Sequence, residues 1–129
     1  MRRLVACVAV AAAAMLPGAV LAQDGDAAAG QRMYNAQCRA CHTPEQGGRN
    51  GVGPNLWGVF GRRAGEVGGF RYSARMRALA EGGLTWNEER LRAFLTNPRE
   101  VVPGGSMAFA GIRNPEHMNN MIAYLKTLR

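Results

Sequence analysis

Two cysteines with two residues between them, and a histidine directly after the second, stand at Cys38-Arg39-Ala40-Cys41-His42. Thiols at that spacing can add to the two vinyl groups along one side of a porphyrin, and the histidine that follows is delivered to the metal at its centre. Three other uses of a close cysteine pair compete with this one. A thioredoxin-type dithiol calls for a βαβ context that the chain does not offer, and zinc calls for further ligands that His117 alone cannot supply. A plain structural disulfide is the third. Covalent attachment of one iron-bearing haem c, with Cys38 and Cys41 forming the thioethers and His42 binding the metal, is the reading the pentapeptide favours.

Arg2 and Arg3, an apolar run from Leu4 to Val20 and small residues ending at Ala22 make up the three parts of an export signal. Removal of residues 1–22 is expected, leaving residues 23–129 as one domain of 107 residues. Cys7 departs with the signal, so an odd count of three cysteines becomes the pair at Cys38 and Cys41. As a lipoprotein cysteine, Cys7 would lie too close behind the basic pair, and a retained anchor is disfavoured by a short run broken at Pro17 and Gly18. No later apolar run could cross a bilayer, which excludes a multi-span membrane protein and predicts a periplasmic mature chain without stable membrane insertion. With 47% hydrophobic and 19% charged residues, the composition is that of an ordinary globular protein and excludes a disordered one.

Apolar periodicity predicts four helices and no convincing strand: Ala27 to Gln37 behind an Asp26 cap, Ala74 to Glu81 behind Ser73, Trp86 to Leu95 behind Thr85, and Pro115 to Leu128 behind Asn114. Thr85 with Glu88 three residues on reads as a capping box, and Asn97-Pro98 ends the third helix because proline cannot donate the next backbone bond. Met118, Met121, Ile122, Leu125 and Leu128 give the last helix one apolar stripe, whose expected partner is the first helix. Gly30 costs that first helix about 1 kcal/mol relative to alanine. A close helix crossing is the usual compensation, with Tyr34 one turn on along the same face.

Between residues 47 and 69, nine of 23 positions are glycine, interleaved with Leu56, Trp57, Val59 and Phe60, which predicts a long ordered loop. It is not a phosphate loop, since neither Gly-Lys-Ser/Thr nor the fingerprint spacing into a helix is present. The adjacent Arg62-Arg63 reads as a solvated turn, so no nucleic-acid partner is expected. A domain of 107 residues with this much loop has a thin core, which a bound haem would fill. Met33, Met76, Met118 and Met121 fall on predicted helices, where packing is the commoner role of methionine. Met107 instead lies in Pro103-Gly104-Gly105-Ser106-Met107-Ala108-Phe109, whose glycines let backbone approach a porphyrin closely. Met107 is therefore the expected second axial metal ligand beside His42, with Met76 the next candidate and His117 a surface residue.

Gly30, Tyr34, Cys38, Cys41 and His42, then Gly53-Pro54-Asn55-Leu56, Phe60-Gly61-Arg62, Gly69-Phe70, Tyr72, Trp86, Asn97-Pro98, Pro103-Gly104, Met107, Phe109-Ala110-Gly111-Ile112 and Tyr124-Leu125 together form a pattern. Over nearly the whole mature chain it resembles the class I cytochromes c, the mitochondrial protein and its bacterial periplasmic relatives. The resemblance implies an all-α cytochrome c fold, with four main helices and long glycine-rich loops wrapped around one covalent haem. It implies a soluble carrier of single electrons between respiratory or dehydrogenase partners, such as an oxidase or a cytochrome bc1-type complex. Pro54 would accept a hydrogen bond from His42, and Arg62, Tyr72 and Trp86 would surround a haem propionate. Three features depart from the mitochondrial pattern. Phe94 stands where a tyrosine commonly donates to the methionine sulfur, Gly105-Ser106 replaces a Thr-Lys pair, and the stretch from Tyr72 to Trp86 is longer.

With His42 and Met107 both on the metal, no coordination site stays open, so the expectation is an electron carrier and not an enzyme. A peroxidase would need an open distal face with a positioned acid or base, and a gas sensor would need a Met107 that leaves readily. The alternative within redox chemistry is a cytochrome c subunit of a larger periplasmic oxidoreductase complex. Loss of Arg2 and Arg3 lowers the formal net charge from +7 to +5, which directs a monomer toward redox partners with acidic docking surfaces. Arg39, Arg49 and Arg113 are expected near the haem edge.

Overall fold

The computed structural model describes residues 24–129, so the expected export segment lies outside the described residues. Along the chain come α1 (Ala27–Gln37), α2 (Ala74–Glu81), α3 (Glu88–Thr96), α4 (Pro98–Val101) and α5 (Pro115–Leu125). Among the described residues no strand forms, and one isolated antiparallel bridge joins Arg63 to Thr85. No helix among them is long and apolar enough to cross a membrane.

The first two helices occupy the stretches their patterns predict. Asp26 caps α1 by accepting from the N–H groups of Ala28 and Ala29, and the Ser73 hydroxyl accepts from Met76 at the start of α2. The third helix starts later than the capping box suggests. Its cap is Asn87, whose side chain accepts from Arg90 N–H, because residues 84–86 are taken up by pairing with the loop. Ala64 donates to Leu84 O at 2.8 Å, Trp86 to Arg62 O at 2.8 Å and Gly61 to Trp86 O at 2.7 Å. With residues 84–86 held in this bridge, the helix begins only after them, and Thr85 lies two residues ahead of the cap position. Pro98 ends α3 as expected and then serves as the first residue of the short α4, which periodicity did not reveal. The last helix ends at Leu125, not Leu128, although Leu128 stays buried and its carbonyl accepts from Gly58 N–H.

The expected crossing of α1 and α5 is present. A Cβ added at Gly30 would run into the Asn120 carbonyl and lie 2.8 Å from Tyr124 Cβ, so only glycine lets the two backbones come this close. One turn on, the Tyr34 and Tyr124 rings pack with centroids 5.2 Å apart. The stripe on α5 is buried from Met118 to Leu128, and Asn120 on the same helix accepts from Asp26 N–H at 2.7 Å. Against α5, α3 is also held by Glu88, which meets Arg92 at 2.8 Å within its own helix and Lys126 at 2.7 Å beyond the end of α5.

Candidate cofactor site

The last turn of α1 runs directly into the cysteine pair. Cys38 and Arg39 N–H both donate to Tyr34 O, and Cys41 and His42 N–H both donate to Cys38 O, so residues 38–42 coil into a tight turn. The turn brings Cys38, Cys41 and His42 to one cleft of about 250 Å³. Both cysteines are free. Burial, and behind it the neighbouring Cys41, pushes the Cys38 thiol up to about 11. A thiol held protonated does not suit an activated dithiol. Among the described residues no three His, Cys, Asp or Glu side chains gather as a metal-ion site, which leaves the zinc reading without ligands.

His42 is clamped from several sides. Its Nδ1 lies 2.8 Å from Pro54 O, as the resemblance implied, and Tyr34 Oη donates to its carbonyl at 2.9 Å. Gly53 N–H donates to Cys41 O at 2.9 Å, and Gly53 comes so near the imidazole that any side chain there would collide with it. Burial lowers the pKa of His42 below its usual value, the bond to Pro54 works against this, and the Arg62 charge adds to the lowering. The outcome is a neutral ring with Nδ1–H given to Pro54 and the Nε2 lone pair left for a metal.

The glycine-rich loop is tied by side-chain to backbone bonds. Asn55, nearly buried, donates through Nδ2 to Thr43 Oγ1 at 2.8 Å and to Glu45 O at 2.9 Å, and its Oδ1 accepts from Trp57 N–H at 3.0 Å. Asn50 bridges two stretches of the loop, accepting from Asn55 N–H and donating to Gly68 O. Neither role is visible in composition or periodicity; Asn55 is marked only by its place beside Pro54 in the resemblance, and Asn50 by no signal. Arg62 is half-buried and donates to Trp57 O at 2.8 Å and to Asn55 O at 3.1 Å, so it braces the loop as well as lining the cleft.

Arg62, Tyr72 and Trp86, expected around a propionate, all line the cleft, together with Ser73. Tyr72 Oη accepts from Val67 N–H and keeps its own proton to donate. Phe94, which packs on Trp86 at 4.9 Å between centroids, offers apolar surface to the cleft in place of a hydroxyl. Met107 lines the cleft from the loop between α4 and α5, half-buried. Met76 lines it too, from α2. Met121 is a core residue 1% exposed, Met118 is buried in the same stripe, and His117 is exposed, each as expected. Of the arginines expected near the edge, Arg39 is paired with Glu45 at 2.7 Å, Arg49 and Arg113 are exposed, and the cationic residues lining the cleft are Arg62 and Arg99.

Two thiols at porphyrin spacing, a neutral histidine aimed by its own backbone contacts, apolar walls and hydrogen-bond donors among the lining residues fit a haem c. A mainly helical chain built around such a cleft is a c-type haem protein. The Cytochrome c family model matches residues 27–129, and the chain belongs to that family. It is 46% identical over 106 residues to a cytochrome c2 of Afifella marina, covering 81% of this chain and 85% of that protein. Identity to a cytochrome c of Chlamydomonas reinhardtii is 44% over 105 residues, 81% of this chain and 91% of the other. A cytochrome c2 iso-2 of Magnetospirillum molischianum is 48% identical over 92 residues, 71% of this chain and 91% of its own. The protein is an electron-carrying c-type cytochrome with a covalent haem c, in a family of carriers and not, in general, of enzymes.

Proposed function

We propose that Cys38 and Cys41 would carry the thioether bonds of the haem, that His42 and Met107 would bind its iron, and that the mature protein, residues 23–129, works as a monomeric carrier in the periplasm. The observation that carries this reading is that these four residues, far apart in kind and in part in sequence, line one cleft. When bound, the haem supplies a one-electron couple at its iron. His42 contributes a neutral nitrogen whose orientation is set by Pro54 and Gly53. Met107 contributes a soft, uncharged sulfur, which favours the reduced metal and leaves no coordination site for a substrate. Arg62, Tyr72 and Ser73 supply donors to the carboxylates of the group, and the apolar walls exclude water from the rest. Arg49, Arg99 and Arg113 are exposed cations that suit transient contact with acidic faces of an oxidase, a cytochrome bc1-type complex or a dehydrogenase.

Carbon monoxide tests the closed coordination sphere. The reduced native protein keeps its spectrum near neutral pH, whereas Met107→Ala binds the gas readily and gains reactivity with peroxide. Fast, tight binding by the native protein would overturn the carrier reading in favour of an enzyme or sensor.

A further inference from the structure

We infer that Tyr34 is a positioning residue for the His42 imidazole, linking the α1/α5 crossing to the metal ligand through one buried hydroxyl; this rests on the reading of His42 as an axial ligand. Tyr34 is 0% exposed, and its ring is held in place from outside the cleft by Tyr124 on α5, at 5.2 Å between centroids. That packing depends on the close approach allowed by Gly30 one turn earlier. From this fixed ring the hydroxyl reaches the His42 carbonyl at 2.9 Å, and among the described residues no other donor meets that oxygen.

The geometry divides the work on His42. Pro54 O and Gly53 restrain the ring, while Tyr34 restrains the backbone from which the ring hangs. A phenylalanine at position 34 would satisfy every packing contact with Tyr124 and α5. Only the hydroxyl reaches residue 42, so its contribution is separable from that of the ring. Without it the carbonyl loses its one donor while the N–H keeps its bond to Cys38 O, and the imidazole plane shifts about its bond to Pro54.

Tyr34→Phe and Tyr124→Phe distinguish this role from a merely structural one, because both delete a hydroxyl from the same aromatic pair and only the first hydroxyl meets His42. In proton NMR of the oxidised holoprotein, the haem methyl shifts report the orientation of the ligand planes. Tyr34→Phe is expected to change their order and spread, while Tyr124→Phe keeps the native pattern. Equal changes in both variants, or none in Tyr34→Phe, would overturn the inference. The native protein gives a second measurement that needs no variant. With the His42 carbonyl carbon labelled, exchange into deuterium shifts that resonance in two steps, one through the adjoining Thr43 amide and one through the Tyr34 hydroxyl, and a single step, from the amide alone, overturns the bond. If the native spectrum lacks the hyperfine-shifted ring protons of a histidine ligand altogether, the ligand reading fails instead, and it is recognised as a separate failure.

Discussion

Where α1 crosses α5, Tyr34, Met121 and Ile122 are less than 2% exposed, whereas Leu56, Phe70, Met107 and Phe109, which face the cleft from loops, all remain partly exposed. The crossing is a helix interface of the usual kind, in which a glycine lets backbones meet and an apolar stripe closes around them. The loop wall has few such contacts of its own. It is tied by Asn50, Asn55, Arg62 and Tyr72 bonding to main-chain atoms, and its apolar side chains point at the cofactor cleft. One region is therefore stable through packing between protein segments. The other is ordered by polar ties and by what the cleft holds.

The largest effect expected from this contrast comes from preventing haem attachment. Cys38→Ser with Cys41→Ser should lose most of the helical signal in circular dichroism and the cooperative thermal transition, because a domain of this size loses the group its loops enclose. Acid-acetone should extract no haem from the native protein. Retention of a cooperative transition by the double variant would mean that the crossing is self-sufficient and the contrast even sharper.

Two glycine substitutions separate the regions more finely. Gly30→Ala forces a methyl into the Asn120 carbonyl and should cost about 3 kcal/mol in denaturant unfolding. The haem spectrum should be unchanged. Gly53→Ala pushes on the His42 ring and should alter the spectrum of both oxidation states. Equal spectral changes from the two would erase the distinction. Asn55→Ala leaves buried backbone groups of the loop without partners and should cost about 2 kcal/mol, with faster amide exchange at residues 43–57 than in α1 or α5.

Helices α1 and α2 were legible from the sequence because cap and period are local signals: Asp26 and Ser73 stand where caps must stand, and the apolar spacing behind them is uninterrupted. The start of α3 was not. Thr85 and Glu88 imitate a capping box, but Thr85 pairs with Arg63, a partner more than twenty residues away that no local pattern discloses. Glu88 likewise has one of its two partners, Lys126, far along the chain, just beyond the end of α5. The cysteine pair, His42 and Met107 stood out in the sequence as candidates because their chemistry is specific to spacing and loop context, and all four line one cleft. The asparagine ties were not, since any of eight asparagines could have formed them and only the folded path of the loop selects Asn50 and Asn55.

The smallest effect concerns pH. Hydrogen bonds from Lys126 and then Arg92 hold the Glu88 carboxyl below its ordinary value of 4.5. Its pairing therefore stabilises the fold fully above that value and is lost as pH falls through the lower, folded-state one. The group is substantially exposed, so solvent screening limits the contribution. Glu88→Gln should cost under about 1 kcal/mol near neutral pH, less at high salt, and nothing in strong acid. The loss should appear in unfolding between α3 and α5 and leave the haem spectrum untouched.

The central claim is that the loop after α4, and not a helix face, supplies the second axial ligand. Methionine labelled with carbon-13 at its methyl group tests it, because a methyl held against the face of a porphyrin is shielded by the ring current. In the reduced native protein one methyl should appear far upfield of the others. That resonance is expected to vanish in Met107→Leu and to persist in Met76→Leu. Its survival in Met107→Leu, or its disappearance in Met76→Leu, would contradict the account.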